Sequence, residues 1–189
     1  MQQRMKSLWL LVVAIGLSAC SSGAASANMT SLLATSTKKL PDLGPAPELE
    51  NTVWLNTDSP LHLADLRGKV VGVEMWTFGC INCQHVLPSL KGWYAKYKDQ
   101  GFVLIGNHFP EFEYERDLNN LKQAVAQAGI EYPVTQDNNG ATWRAYRNNY
   151  WPALYLIDKH GRIRYVHVGE GAYAETEANI QSLLAEAYP

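Results

Sequence analysis

The sequence has little cysteine, little net charge and no internal repeat. Only three cysteines, at positions 20, 80 and 83, occur in 189 residues, so each can be considered in its own setting. The formal net charge of −2 argues against nucleic acid or an anionic surface as the main partner. An apolar run at residues 8–17 is too short to cross a bilayer as a helix.

What the chain does have is the composition of a globular protein. Hydrophobic residues make up 47% of the sequence and charged residues 18%, which is enough apolar material to bury a core. The length favours one domain with extensions over two separate domains.

The N-terminal segment has the features of an export signal. Arg4 and Lys6 precede the apolar run, which ends at residues 17–20 with Leu-Ser-Ala-Cys. This ending resembles a bacterial lipoprotein signal, which implies cleavage before Cys20 and attachment of a lipid to that cysteine. The alternative is an ordinary secretory signal that is cut near residues 25–27. Either interpretation places the domain outside the cytoplasm, where disulfides persist.

Composition divides the chain into three parts. Residues 1–19 are predicted to be the signal peptide, and residues 20–47 the lipidated cysteine with a flexible tether rich in Ser, Ala, Thr, Gly and Pro. Ordered structure is expected to begin near Glu48, so that residues 48–189 form one domain.

Strand and helix patterns alternate along this domain. Nearly continuous apolar runs predict buried strands at 70–76 and 102–106. Amphipathic spacing predicts helices near 80–98, 115–128 and 174–187. A crossover helix between the first two strands implies parallel pairing, and a hairpin over 153–168 adds antiparallel strands. The prediction is an α/β fold with a mixed central sheet and helices on both faces.

Cys80 and Cys83 form a Cys-x-x-Cys pair where the first predicted helix begins, directly after a buried strand. Side chains three residues apart on one helical turn lie about 5 to 6 Å apart, within the range that a disulfide tolerates. Unpaired N–H groups and the positive end of the helix dipole favour an anion at the first cysteine. Cys80 is therefore the expected nucleophile, and Cys83, one turn deeper, the resolving thiol.

Further positions stand in register with the cysteine pair. An acid, Glu74, lies six residues before the first cysteine, and an aromatic residue, Trp76, follows that acid by two. Pro88 follows the second cysteine by five residues, and Trp151-Pro152 stands just ahead of the predicted hairpin. Together these positions resemble the thioredoxin fold and, within it, the TlpA-like branch of extracytoplasmic thiol–disulfide oxidoreductases.

The resemblance implies a thioredoxin-like three-layer sandwich over residues 48–189 and catalytic roles for three residues. The Cys80 thiolate would attack a substrate disulfide, and Cys83 would resolve the mixed disulfide. Glu74, desolvated beneath the cysteines, is expected to have a raised pKa and to accept the proton of the second thiol through water.

The resemblance also implies a place for substrate. Pro152, with a cis peptide bond, would present the backbone of Trp151 to an extended substrate segment. Trp151 and Trp76 are candidates for an apolar contact surface around Cys80, although each is equally compatible with a place in the core. His108, at the end of the second strand, either borders the site or lies in a loop, and Glu170 is a candidate for its edge.

Two features depart from the family pattern. Gly79 replaces the tryptophan that is usual before the first cysteine. The dipeptide Ile81-Asn82 is neither the Gly-Pro of reducing thioredoxins nor the Pro-His of a strong oxidant. Because this dipeptide tunes the redox potential in the family, the direction of electron flow stays open.

The sequence therefore predicts a lipid-anchored extracytoplasmic thiol–disulfide oxidoreductase that reduces protein disulfides and receives electrons from a membrane donor protein. No cofactor beyond the redox-active disulfide of Cys80 and Cys83 is expected. One alternative is a binding module with a structural disulfide. Another is a thiol metallochaperone that uses Cys80 with a remote histidine, because His85 points about 200° away from Cys83 on a helix.

Overall fold

A mixed sheet of six strands forms the centre of residues 39–189, the part of the chain that the computed structural model describes. The strands are β1 (Val53–Leu55), β2 (Val70–Trp76), β3 (Phe102–His108), β4 (Val134–Gln136), β5 (Ala153–Ile157) and β6 (Ile163–Val168). Their spatial order is β1-β4-β3-β2-β5-β6. Strand β2 pairs parallel with β3 and antiparallel with β5, so it is central in the sheet.

Helices cover both faces of this sheet. They are α1 (Ile81–Tyr97), α2 (Leu118–Gln127), α3 (Ala141–Ala145) and α4 (Tyr173–Ala185). Short 3-10 helices occur at Leu63–Leu66, Lys98–Gln100 and Glu113–Arg116. Apolar residues of α1, α2 and α4 share one core cluster, whereas α3 and the first 3-10 helix pack in a second cluster. The three-layer α/β sandwich predicted from the sequence is confirmed.

Strand β2 leads into the loop before Cys80, and both of its faces are covered by helices. All seven of its residues are buried, as its continuous apolar run predicted. Val71, Val73 and Met75 pack in the cluster that includes α3, whereas Trp76 packs in the cluster that includes α1. Since side chains alternate along a strand, Glu74 shares the α1 face with Trp76. The acid is thereby directed toward the helix that begins after the cysteines.

The packed structure begins earlier than Glu48, the start that composition indicated. Leu40 is only 4% exposed and belongs to the core cluster. The Arg164 guanidinium donates hydrogen bonds to the carbonyl oxygens of Leu40, at 2.7 Å, and Pro41, at 2.9 Å. The last part of the predicted tether is thus fastened to β6.

The predicted signal peptide, the lipidated Cys20 and the first part of the tether lie outside the described residues. Within residues 39–189, none of the helices combines the length and the apolar character that crossing a membrane requires.

Candidate active site

The two cysteines lie on the first turn of α1 in unequal environments. Cys80 is the N-cap residue and is half-buried, whereas Cys83 is 1% exposed. The N–H of Cys83 donates a hydrogen bond to Sγ of Cys80 at 3.2 Å. Burial, the contact with Cys80 and the charge of Glu74 all raise the pKa of Cys83. The structure therefore holds one accessible sulfur and one deep thiol that keeps its proton.

Glu74 lies buried on β2 with an incompletely satisfied carboxyl group. The Tyr132 hydroxyl donates a long hydrogen bond of 3.3 Å to Oε2, and Oε1 has no hydrogen-bond partner. Burial raises the pKa of Glu74 to about 8, although the bond from Tyr132 opposes the rise. Near neutral pH this group can therefore both hold and release a proton.

A small cavity adjoins Glu74. Its volume is about 30 Å³, and its lining includes Pro152, Val86 and Leu90. This is room for a water molecule, and the free Oε1 of Glu74 supplies a polar partner for it. Water that enters here can carry protons to and from the carboxyl group.

The Trp151–Pro152 peptide bond is cis, and Pro152 lies beside Glu74 in the cavity wall. Trp151 is half-buried and belongs to an aromatic cluster. Its indole N–H donates to the carbonyl oxygen of Phe109 at 3.2 Å, and its ring lies 4.5 Å from that of Trp143. Part of Trp151 stays accessible, as a contact residue requires.

Trp76 lies in the core and not on the contact surface that was one of its two expected places. Only 2% of this residue is exposed, and its ring meets that of His108 edge-on at 5.4 Å. Because it lies on the inner face of β2 beneath α1, it supports the site from the core and offers no contact area.

His108 is the last residue of β3 and fully buried, so it is not a loop residue. The Phe78 ring stacks on it at 5.3 Å, and the Thr77 hydroxyl lies 3.2 Å from its Nε2. Burial lowers the pKa of His108 to about 4, which makes it a neutral ring near pH 7. It supports the loop before Cys80 without contributing charge.

Glu115 is a site residue that the sequence prediction missed. Its buried carboxylate accepts backbone N–H bonds from Gly79 at 2.8 Å, Glu111 at 2.6 Å and Phe112 at 2.8 Å. Burial alone would raise the pKa of Glu115, but these N–H groups and the Thr77 side chain outweigh it and lower the pKa. The Glu115 side chain is therefore a fixed negative charge that is bonded to Gly79, the residue directly before the nucleophile Cys80.

The same contact explains why Gly79 stands where the family usually has tryptophan. A Cβ on Gly79 would lie 2.5 Å from Oε1 of Glu115 and 2.7 Å from the Tyr114 hydroxyl. A side chain on Gly79 would have to displace the ends of these two side chains. The helix predicted from residue 115 in fact starts after Asp117, whose carboxylate caps α2. That N-cap signal could have shown that Glu115 lies outside the helix.

Glu170 does reach α1. Its Oε2 lies 3.2 Å from Nδ1 of His85, and both side chains are exposed. Within the described part of the chain, no three His, Cys, Asp or Glu side chains are grouped as a metal site would need.

Residues 44–166 match the family model described as AhpC/TSA family. The chain belongs to the AhpC/TSA family. Protein DipZ of Mycobacterium bovis is 46% identical over 176 residues, which are 92% of this chain and 24% of DipZ. The thiol-disulfide oxidoreductase YkuV of Bacillus subtilis is 28% identical, over 75% of this chain and 95% of YkuV. The chain thus spans about a quarter of DipZ and nearly all of YkuV.

Solved structures agree with the AhpC/TSA assignment. A thioredoxin-like superfamily protein superposes with a TM-score of 0.72 and 34% identity, covering 77% of this chain and 99% of that protein. The predicted resemblance to thioredoxin-like, TlpA-like proteins is therefore confirmed. At the level of the AhpC/TSA family, the chain has a thioredoxin-like fold, and its relatives YkuV and ResA are named thiol-disulfide oxidoreductases.

Proposed function

We propose that this chain is a membrane-tethered, extracytoplasmic oxidoreductase that reduces protein disulfides through the dithiol of Cys80 and Cys83. The observation that carries the proposal is the cysteine geometry. The half-buried Cys80 sulfur at a helix N-terminus accepts the backbone N–H of Cys83, whose own thiol is buried. That buried thiol lies within reach of the charge of Glu74, a carboxyl group with a pKa raised to about 8. This set supports a nucleophile, a resolving thiol and a proton acceptor.

The first step is attack by the Cys80 thiolate on one sulfur of a substrate disulfide. The substrate S–S bond breaks, a bond forms between Cys80 and the attacked sulfur, and the other substrate sulfur leaves as a thiolate that takes a proton from water. The half-buried position of Cys80 supports this role, because a protein segment can reach its Sγ.

The second step requires a proton acceptor, because burial keeps Cys83 protonated. Glu74 accepts that proton through water in the adjoining cavity, and the Cys83 sulfur then attacks Sγ of Cys80. The substrate's second sulfur leaves as a thiolate that takes a proton from water, and the Cys80–Cys83 disulfide forms. Two electrons have passed from the enzyme to the substrate, and Glu74 releases the proton of Cys83 to water.

Continued turnover needs an outside dithiol that reduces the Cys80–Cys83 disulfide. The proposed donor is a membrane protein with its own reactive cysteine pair. The leader supports this choice, since a lipid on Cys20 would hold the domain at the surface where such a donor lies.

Trapping of the mixed disulfide tests the exchange reaction. We expect a Cys83→Ser variant to retain substrate on Cys80, seen as a mass gain that dithiothreitol removes, because the resolving thiol is absent. A Cys80→Ser variant is the matched control and should retain none. Equal, background-level recovery from both variants would contradict the proposal. The tether is tested separately by fatty-acid labelling, which should be lost in a Cys20→Ser variant.

A further inference from the structure

A fixed negative charge lies beside the nucleophile and is not used in the proposed reaction. The Glu115 carboxylate accepts the N–H of Gly79, the residue directly before Cys80. The absence of a side chain on Gly79 allows this close approach, because a Cβ there would meet Oε1 of Glu115 at 2.5 Å. The carboxylate is thus held at the loop by its bonds to Gly79 and to the two N–H groups of its own turn.

Among the described residues, the partners of this carboxylate are backbone N–H groups and not cationic side chains. The salt bridges found within residues 39–189 do not include Glu115, and the neighbouring Arg116 is paired with Glu113 at 3.1 Å. His108 lies behind the same loop and touches Thr77 and Phe78. The charge of Glu115 opposes the fall in the pKa of His108, but burial outweighs it and keeps the ring neutral near pH 7. The charge of Glu115 is therefore held at the Cys80 loop by backbone N–H groups and not by a cationic side chain.

We infer that Glu115 is a positioning residue that makes the Cys80–Cys83 couple more reducing. The inference rests on the proposed function and deepens it by giving a direction to electron flow. The Glu115 carboxylate, held at the residue before Cys80, disfavours a second negative charge on the Cys80 sulfur. Since the thiolate is part of the reduced state, the dithiol is destabilised relative to the disulfide, and it gives up its electrons more readily.

This effect opposes the helix N-terminus, which favours the thiolate. The dipeptide Ile81-Asn82 leaves the direction of electron flow open in the sequence. Glu115, from another segment of the chain, favours electron flow from the dithiol to the substrate.

The test compares the redox equilibrium of the full chain with that of a Glu115→Gln variant in glutathione buffers at pH 7. The glutamine amide oxygen can still accept the Gly79 N–H, so the change removes the charge and keeps the acceptor. We expect the equilibrium to shift about tenfold toward the dithiol, equivalent to about 30 mV for this two-electron couple. Alkylation of Cys80 by iodoacetamide at pH 7 should become faster.

Glu113→Gln is the matched control. It lies on the same 3-10 helix and removes the same charge from a side chain that is 91% exposed. Its equilibrium constant should stay at the wild-type value, since solvent screens an exposed charge. A shift as large as that of Glu115→Gln would overturn the inference.

Two more variants separate charge from structure. Glu115→Asp keeps the charge and should stay close to the wild-type equilibrium, so equal shifts for Asp and Gln would overturn the inference. Tryptophan fluorescence checks whether Glu115→Gln folds. If it does not, Gly79→Ala replaces it, because the added Cβ displaces the carboxylate and should shift the redox equilibrium in the same direction. An unchanged equilibrium constant in Gly79→Ala would overturn the inference.

The wild-type chain distinguishes this inference from the proposed function. Failure of wild type to interconvert between dithiol and disulfide contradicts the proposed function. Normal interconversion, with an equilibrium constant equal to that of Glu115→Gln, contradicts only the role given to Glu115.

Discussion

Two buried carboxyl groups lie near the cysteines and differ in protonation because their hydrogen-bond donors differ. Glu74 receives one long bond from Tyr132, so the cost of burying its charge dominates and raises the pKa to about 8. Glu115 receives three backbone N–H bonds, which outweigh burial and lower its pKa. One acid can therefore carry a proton, and the other is a permanent charge.

Only the first of these acids could be predicted from the sequence. Glu74 has a fixed spacing to Cys80 along one strand, loop and helix start, and local spacing is visible in a sequence. The partner of Glu115 at the cysteine loop, Gly79, lies 36 residues away along the chain. That contact depends on how two loops meet in the folded protein. The only sign of it in the sequence is Gly79, a glycine where a tryptophan is usual.

Glu74→Gln tests the proton acceptor at the residue scale. We expect resolution of the mixed disulfide by Cys83 to slow at least about tenfold, with the initial attack by Cys80 unchanged, because glutamine cannot accept the proton. Stopped-flow measurement with a model disulfide separates the two steps. An unchanged resolution rate would show that another group takes the proton.

The same variant has a signature in stability. The pKa of Glu74 rises from 4.5 to about 8 on folding, so between these pH values the folded state keeps a proton that the unfolded chain has lost. The contribution of Glu74 to the free energy of unfolding is therefore complete at low pH. It is lost as pH rises through this window, by up to about 1.4 kcal/mol per pH unit. Urea unfolding of Glu74→Gln from pH 5 to 8 should lack this decline, whereas Glu113→Gln should retain it.

At the scale of elements, long regular patterns define their own elements, whereas short strands depend on their partners in the sheet. Helix α1 covers Ile81–Tyr97, close to the 80–98 expected, because buried residues recur at helical spacing over several turns. Strands β1 and β4 have three residues each, too few to show an alternating pattern. They exist because they pair with each other and because β4 joins the edge of β3.

Helix α2 shows where periodicity fails to locate an end. Leu121 and Val125 are buried at helical spacing, but the spacing of apolar residues does not reveal that the helix starts after Asp117. The preceding 3-10 helix, Glu113–Arg116, is a separate turn. This break is what places the Glu115 side chain beside the cysteine loop and not on the helix surface.

The N-cap of α2 can be tested by substitution. Oδ1 of Asp117 accepts the N–H groups of Asn119, at 2.8 Å, and Asn120, at 3.0 Å. We expect Asp117→Ala to lower the free energy of unfolding by about 1 kcal/mol, because these two N–H groups lose their acceptor. Asp117→Asn keeps an acceptor oxygen and should lose much less in chemical denaturation. Equal losses for Ala and Asn would show that the cap does not stabilise α2.

At the scale of the whole molecule, Arg164 joins the beginning of the described chain to its end. Its guanidinium lies 2.8 Å from Asp158 and 3.4 Å from Glu186, and it also holds the backbone of Leu40 and Pro41. Leu40 is 124 residues away from it in the chain. The family resemblance covers the domain from Glu48, and this earlier start could not be predicted because its anchor is so remote.

Removal of this anchor should be costly. Arg164→Met leaves the Asp158 carboxylate, which is 2% exposed, without its cation, so we expect a loss of about 3 to 5 kcal/mol in the free energy of unfolding. Arg162→Met, two residues earlier, breaks an exposed pair with Asp42 and should cost far less. Thermal or urea unfolding of both variants checks this, and similar losses in the two would contradict the role given to Arg164.

The position at which the chain enters the domain has a practical consequence. Leu43 and Ala46 bond to Ile163 and Gly161, next to the turn between β5 and β6. Because β5 runs antiparallel to β2, this turn is at the opposite end of the sheet from Cys80. A bead or an electrode coupled just before Lys39 is thus joined to the end of the domain opposite Cys80, and the accessible Cys80 sulfur is left open to the solution. We expect such an immobilised domain to exchange disulfides with soluble partners as freely as the unattached one.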